Sequence, residues 1–163
     1  MSKAQDEIRL VPYSPEYREA FQELNESWIR EYFSMEEKDY EALLHPERSI
    51  LNKGGYIVVA LLHDQPVGVC ALMKMEDAAP YDYELAKMGV ARNARQRGIG
   101  YLLGKAVIQK AQELGARNVY LESNTVLEPA MSLYRKLGFK KIERKPSPYQ
   151  RCNIQMLIDF EPQ

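Results

Sequence analysis

Apolar positions along the chain recur with two spacings, and the spacing predicts the elements. Ile8 to Tyr13 reads as a short opening strand. Ser14-Pro15 then starts a helix, with Ser at the N-cap and Pro at the first helical position. Tyr17, Ala20, Phe21, Leu24 and Trp28 recur at helical spacing and give that helix one apolar face. A second helix is predicted over Met35 to Leu44, and Pro46 opens a short third one ending near Asn52. Gly54-Gly55 breaks the pattern. Tyr56 to Leu62 and Val67 to Met75 are apolar strand-like runs joined by the turn residues His63-Asp64-Gln65-Pro66, so the pair predicts a hairpin. Asp77 to Pro80 is a loop, and Tyr83 to Val90 is a third strand of the group.

Beyond Val90 the period changes again. Ala91 to Gly98 is a basic loop. Ile99, Leu102, Leu103, Ala106, Val107, Ala111 and Leu114 then share one helix face, and Gly115 is a natural residue to end it. Asn118 to Ser123 is a strand. Glu128 to Leu137 is a helix with Ala130, Leu133, Tyr134 and Leu137 on one face, closed by Gly138. Phe139 to Arg144 and Ile154 to Phe160 are the last strands. The order β-α-α-β-β-β-α-β-α-β-β predicts one mixed α/β domain over residues 1–163, a central sheet of six to seven strands flanked by helices.

Composition narrows the classes. The 163 residues suit one ordinary domain, and 45% hydrophobic with 28% charged residues is a globular balance. A formal net charge of −1 gives no global electrostatic case for nucleic acid or for an anionic membrane. Cys70 and Cys152 sit in apolar stretches without a second Cys at metal spacing, and His45 and His63 are the only histidines, so no metal site is expected. Met1 to Glu7 is polar and acidic, unlike a signal or transit peptide. No apolar run approaches the ~18 residues that span a bilayer, and a cytoplasmic location is the default.

The basic loop carries the chemistry. Val90-Ala91-Arg92-Asn93-Ala94-Arg95-Gln96-Arg97-Gly98-Ile99-Gly100 lies between a strand and a strongly amphipathic helix. A helix's first turn leaves unpaired N–H groups at the positive end of its dipole. Gly98 and Gly100 remove side chains that would block an anion, and Arg92, Arg95 and Arg97 add three cations. Together they predict a pyrophosphate site. A P-loop is excluded, because Gly98 to Gly104 is one residue too long and Ala106 follows Lys105. A Rossmann fingerprint is excluded, because the third glycine comes one residue late.

Arg95-x-x-Gly98-x-Gly100 resembles the [QR]xxGx[GA] signature of the GNAT superfamily. Glu84 to Val90 resembles the strand that precedes that signature, and Leu133-Tyr134-Arg135-Lys136-Leu137-Gly138-Phe139 resembles the family's second recurring motif. The resemblance implies the GNAT acyl-CoA N-acyltransferase fold and transfer of an acetyl group from acetyl-CoA to a primary amine. It implies that the strands Tyr83 to Val90 and Asn118 to Ser123 run parallel and splay, with pantetheine in the gap. Backbone groups of Met88 and Val90 are then expected to pair with its amides, and those of Gln96, Arg97, Gly98, Ile99, Gly100 and Tyr101, beside Arg95, to hold the pyrophosphate. An N–H near Met88 is the expected oxyanion donor. Tyr134 matches the motif tyrosine that protonates the departing thiolate; as a plain amphipathic residue it would edge the core instead. Glu84 matches the position of a catalytic glutamate in some members, and strand alternation places it on the face of Asp82, Ala86 and Met88. Its alternative is a strand-end charge in water or a salt bridge, to Lys87 or a neighbour. The usual cofactor-contacting Asn is replaced here by Leu127, and Asn124 either substitutes for it or caps the following turn.

For the acceptor, the candidate segments are Trp28 to Tyr40 and Pro146 to Asn153, with Trp28, Tyr32, Phe33, Tyr40 and Tyr149 and the acids Glu31, Glu36 and Glu37. An aromatic and acidic wall suits a cationic amine, on a small molecule or a protein. Homodimers are common among resembling enzymes. Two other readings stand beside an N-acetyltransferase: a non-catalytic acetyl-CoA-binding regulatory module, and an interaction protein with an empty cleft.

Overall fold

A computed structural model describes residues 7–160; the N-terminal segment read above as no leader lies, but for Glu7, outside them. Among these described residues, seven strands form one mixed sheet in the order β1-β2-β3-β4-β5-β7-β6. They are β1 (Ile8–Pro12), β2 (Tyr56–Leu62), β3 (Gln65–Lys74), β4 (Tyr83–Val90), β5 (Asn118–Ser123), β6 (Lys140–Lys141) and β7 (Ile154–Asp159). The helices are α1 (Arg18–Tyr32), α2 (Glu37–Leu44), α3 (Pro46–Ser49), α4 (Ile99–Glu113) and α5 (Glu128–Leu137). β1 to β4 form an antiparallel meander, β4 and β5 are parallel, and β5, β7 and β6 are antiparallel.

β2 and β3 are buried on both faces, which is why they read as near-continuous apolar runs. Ile57, Val59, Leu61, Val69 and Ala71 join Phe21, Ile29 and Leu43 in one core beneath α1 and α2. Val58, Ala60, Cys70 and Leu72 join Ile99, Leu103, Val107, Met131 and Leu137 in a second core beneath α4 and α5. The sheet therefore separates two faces, each with its own helices. The hairpin turn is His63-Asp64, both at positive φ, the two-residue form whose twist suits antiparallel strands.

Several boundaries differ from the sequence pattern, three of them for a visible reason. Pro15–Tyr17 is a 3₁₀ turn and α1 begins only at Arg18, because Ser14 Oγ bonds the Glu16 carboxylate instead of capping a backbone N–H. The second helix begins at Glu37 rather than Met35, set by a reciprocal cap between Glu36 and Asp39. The strand expected over Phe139 to Arg144 shrinks to Lys140–Lys141. Past Ile142, the Gln155 side chain takes over the pairing: it accepts from Lys145 N–H at 2.6 Å and donates to Lys145 O at 2.8 Å. Pro146 and Pro148 then remove two donors, so no ladder resumes.

Candidate active site

The expected pyrophosphate site falls where β4 hands over to α4. Gln96 (φ +65°) and Gly98 (φ +78°) turn the chain into the helix. The first α4 donor is Leu102 N–H, to Gly98 O, so the N–H groups of Ile99, Gly100 and Tyr101 precede the helical ladder. The two glycines have different jobs. Nothing lies within 4 Å of a Cβ built on Gly98, so that position is open and its glycine serves the left-handed backbone. A Cβ on Gly100 would meet Leu133 Cδ2 at 3.0 Å and Met88 Sδ at 3.7 Å, so Gly100 lets α4 pack against α5 and β4 rather than clearing a path for an anion. Ile99 is a core residue. Tyr101 lies between Lys105 and Lys136. Two of the three arginines are partly committed: Arg92 and Arg95 approach Glu31 at 2.8 and 3.8 Å, and Arg95 Nε reaches Val90 O at 3.4 Å. Glu31 thus belongs to this loop and not to the acceptor wall.

β4 and β5 pair only at Tyr83↔Val119 and Glu84↔Tyr120. From Leu85 to Val90, β4 keeps β3 on one side and has no strand on the other, which opens a gap beside the first turn of α4. β4 is also bulged: Ala71 faces Ala86 and Val69 faces Gly89, so Cys70 alone opposes both Lys87 and Met88. Lys87 sits at φ +53° in that bulge. The bulge corrects the expected alternation. Glu84 and Met88 were expected on one face, but the extra residue moves Met88 to the α4–α5 core side, while Lys87 turns to Asp39 of α2.

Glu84 lies at the fork of the two strands, and its carboxyl accepts no hydrogen bond from a described residue. Burial, and then the negative charge of Glu122, raise its pKa from 4.5 to about 7; Lys87 opposes them weakly. Glu122 is itself held by hydroxyls, Tyr120 at 2.7 Å and Ser147 at 2.5 Å. On the other side of the sheet Tyr134 packs edge-on to Phe139, at 6.1 Å between ring centres. Burial raises its pKa, with Cys70 contributing, so the phenol stays protonated. Tyr134 is therefore an edge-of-core residue, and its electrostatic neighbour Cys70 is the residue opposite the β4 bulge. Asn124 is occupied: its Oδ1 accepts from Val126 N–H at 2.9 Å and its Nδ2 donates to Arg151 O at 2.7 Å. This is the turn-capping role, extended to a second segment.

On the acceptor side the sequence pattern missed a buried ionic cluster. Asp39, with no exposed surface, accepts from Lys87 Nζ at 2.7 Å and takes both terminal nitrogens of Arg151, at 2.7 and 2.6 Å. Burial alone would raise the Asp39 pKa, but Arg151 and Lys87 outweigh it and hold the carboxyl at about 2. Lys87 Nζ also donates to Tyr149 OH at 3.0 Å, and the Arg151 guanidinium lies over the Tyr149 and Trp28 rings. Glu36 accepts from Gln150 N–H at 3.1 Å and from Arg151. Residues 142–153 thus form a strap with no helix or strand, fastened over this face by side chains. Of the expected acceptor wall, Trp28, Tyr149 and Glu36 belong to this cluster. Glu37 is exposed, Phe33 packs beside the α1–α2 core, and Tyr32 and Tyr40 remain on the surface. A lysine in the middle of an apolar strand was the available signal for the cluster. Its partners, Asp39 and Tyr149, 48 and 62 residues away, carry no local pattern.

An acetyltransferase of the GNAT family from Staphylococcus aureus superposes with a TM-score of 0.83 at 24% identity, covering 95% of this chain and all of that one. Salmonella typhimurium yncA, a putative acetyltransferase solved with acetyl-CoA, superposes at 0.77 and 14% identity, covering 96% of each chain. Among curated sequences, rat N-acetyltransferase 8F1 is 33% identical over 96 residues, which is 58% of this chain and 43% of the relative. Fission yeast N-alpha-acetyltransferase 30 is 27% identical over 138 residues, covering 84% and 87%. The match spans less than half of the rat protein's length. Residues 17–139, a span that takes in β4, the β4–α4 turn, β5 and α5, match the Acetyltransferase (GNAT) family, and the chain belongs to that family.

Proposed function

We propose that this chain, acting as one domain, transfers an acetyl group from acetyl-CoA to a primary amine of a small molecule or a protein. The observation that carries the reading is the fork after Glu84: a half-unpaired β4, the open first turn of α4 and an unpartnered carboxyl meet there. The protein groups fit the co-substrate. Gly98 and the N–H groups of Ile99 to Tyr101 suit a pyrophosphate, with Arg95, Gln96 and Arg97 around them. The free edge of β4 at Met88 and Val90 suits an amide-bearing arm. Acetyl-CoA supplies the acetyl group as a thioester. The names of the relatives, N-acetyltransferases by description, support an amine acceptor.

In this reading Glu84 takes a proton from the incoming ammonium, directly or through a water, and a carboxyl near pKa 7 is matched to that task. A backbone N–H near Met88 faces the carbonyl oxygen as charge develops there. Tyr134, kept protonated by burial, donates to the departing sulfur. No helix among the described residues is long and apolar enough to cross a membrane.

The test is thermal shift with acetyl-CoA, CoA and ATP, then an amine panel read by thiol release. At ~100 Kd a native-state ligand adds ~2.7 kcal/mol to apparent stability. Shifts with both CoA species and none with ATP, followed by thiol release with an amine, are expected. Binding without release for any amine would favour a regulatory acetyl-CoA-binding module. No shift at millimolar CoA would overturn both readings.

A further inference from the structure

The Asp39 cluster joins three elements that acetyl transfer needs in one register. Lys87 is the bulged residue of β4 and directly precedes Met88 on the unpaired stretch. Arg151 is in the strap, and Asp39 is on α2. One carboxylate bonds both cations, and all three side chains are largely buried, with 0%, 4% and 12% exposure for Asp39, Lys87 and Arg151. Stability alone does not account for such a cluster. Well-packed apolar replacements of buried ion pairs are often neutral or stabilising. Nor is a lysine the natural choice for φ +53°, a conformation that favours glycine. The side chain is therefore selected for what it reaches. Its ammonium spends two of its three donors on Asp39 and on Tyr149 of the strap. The Arg151 carbonyl is also fixed, by Asn124 at the end of β5. Both walls of the gap are thereby tied to the same strap, β4 through Lys87 to Tyr149 and β5 through Asn124 to Arg151.

We propose that Asp39 and Lys87 are positioning residues for the transfer reaction: Asp39, by gripping Lys87 and Arg151 together, fixes the β4 bulge at Met88 and the acceptor-side strap relative to one another. The inference rests on the acetyltransferase reading above. The clamp makes no hydrogen bond to the β4–α4 loop or to Glu84, and reaches Glu84 only through the Lys87 charge, which opposes the rise of its pKa. Its loss leaves acetyl-CoA anchored by the α4 first turn but lets the backbone at Met88 and the strap drift apart.

The test uses the full chain. Asp39→Asn leaves two buried cations facing each other, so the measurement rests on Lys87→Met, which keeps the charge-balanced Asp39–Arg151 pair and a side chain of similar length. Lys87→Gly is the companion, because glycine takes the left-handed backbone freely and isolates the side chain's part. For both variants kcat is expected to fall at least about tenfold with every accepted amine, while the acetyl-CoA Kd changes by less than about threefold. Amide exchange gives a second readout independent of the acceptor. In the wild type, acetyl-CoA should protect both the Ile99–Tyr101 and the Met88–Val90 amides. In Lys87→Met only the first protection should survive. Arg151→Met, which frees the strap alone, should raise the acceptor KM with acetyl-CoA binding unchanged. Wild-type kcat in Lys87→Gly would reduce the position to a backbone requirement and overturn the proposal. So would unaltered Met88–Val90 protection in Lys87→Met, or a kcat loss that vanishes on cooling in step with a lowered melting temperature. A wild type in which acetyl-CoA protects neither segment would sink the parent reading and this one with it. An active wild type with unaffected variants would sink this one alone.

Discussion

Replacing Glu84 by Gln tests the centre of the argument in two independent ways. Glu84 has no hydrogen-bond donor among the described residues, and burial with the Glu122 charge brings its pKa from 4.5 to about 7. In the folded state it therefore keeps a proton that the unfolded chain has already released. The folded state binds more protons between these values, so stability falls as pH rises through that window. At 1.36 kcal/mol per pH unit, the difference between 4.5 and about 7 is worth about 3 kcal/mol. Glutamine does not titrate. Urea melts of both proteins at pH 4.5, 6 and 8 should show the wild type losing about 3 kcal/mol relative to Glu84→Gln, with the loss complete above pH 7. The same carboxyl should govern catalysis. With acetyl-CoA and amine saturating, wild-type kcat should rise through an acid limb near pH 7. Glu84→Gln should lose that limb and about 10²- to 10⁴-fold in the plateau, the range for a removed general base. Parallel stability curves for the two proteins, or a limb near 7 that survives in the glutamine variant, would refute the reasoning.

Other outcomes follow from the same geometry. Glu122→Gln removes the like charge beside Glu84, so the acid limb should move below pH 7; burial, the larger cause, should keep it above the ordinary carboxylate value, as a pH–rate profile will show. Tyr134→Phe should lower kcat by about 10²-fold or more and leave the acetyl-CoA Kd, measured by calorimetry, nearly unchanged. Gly98→Ala meets no atom within 4 Å but must sit at φ +78°, so about 1 kcal/mol of stability and part of the acetyl-CoA affinity should be lost together. Asp39 is held at about 2 against an ordinary 3.8, so its contribution of about 2 kcal/mol is present above pH 4 and lost as pH falls towards 2. Acid titration of stability should show this decline, flattened in Asp39→Asn.

Local chemistry carried much of the design in plain sight. The α4 face from Ile99 to Ala111 follows a 3.6-residue period, β2 and β3 are apolar because helices cover both their faces, and positive φ at Gly98 and Gly138 ends or starts helices where the glycines stand. The turn from Arg95 to Gly100 that opens the first turn of α4 was legible because a helix N-terminus and its glycines are made by neighbours in sequence. Tyr134 and Glu84 became candidates only through resemblance to family motifs, since neither has a local signature. What the tertiary structure decided was everything that depends on pairs far apart in the chain. The bulge at Lys87 exists because β4 carries one residue more than β3 opposes, and alternation within a single strand cannot reveal that; it moved Met88 away from the face of Glu84. The β6 strand ended early because the Gln155 side chain, ten residues from Lys145, out-competed the backbone ladder. Glu31 went to the arginines of the loop, and Asp39 gathered Lys87 and Arg151. A charge in sequence shows only that it needs a partner or water; burial on folding determines which.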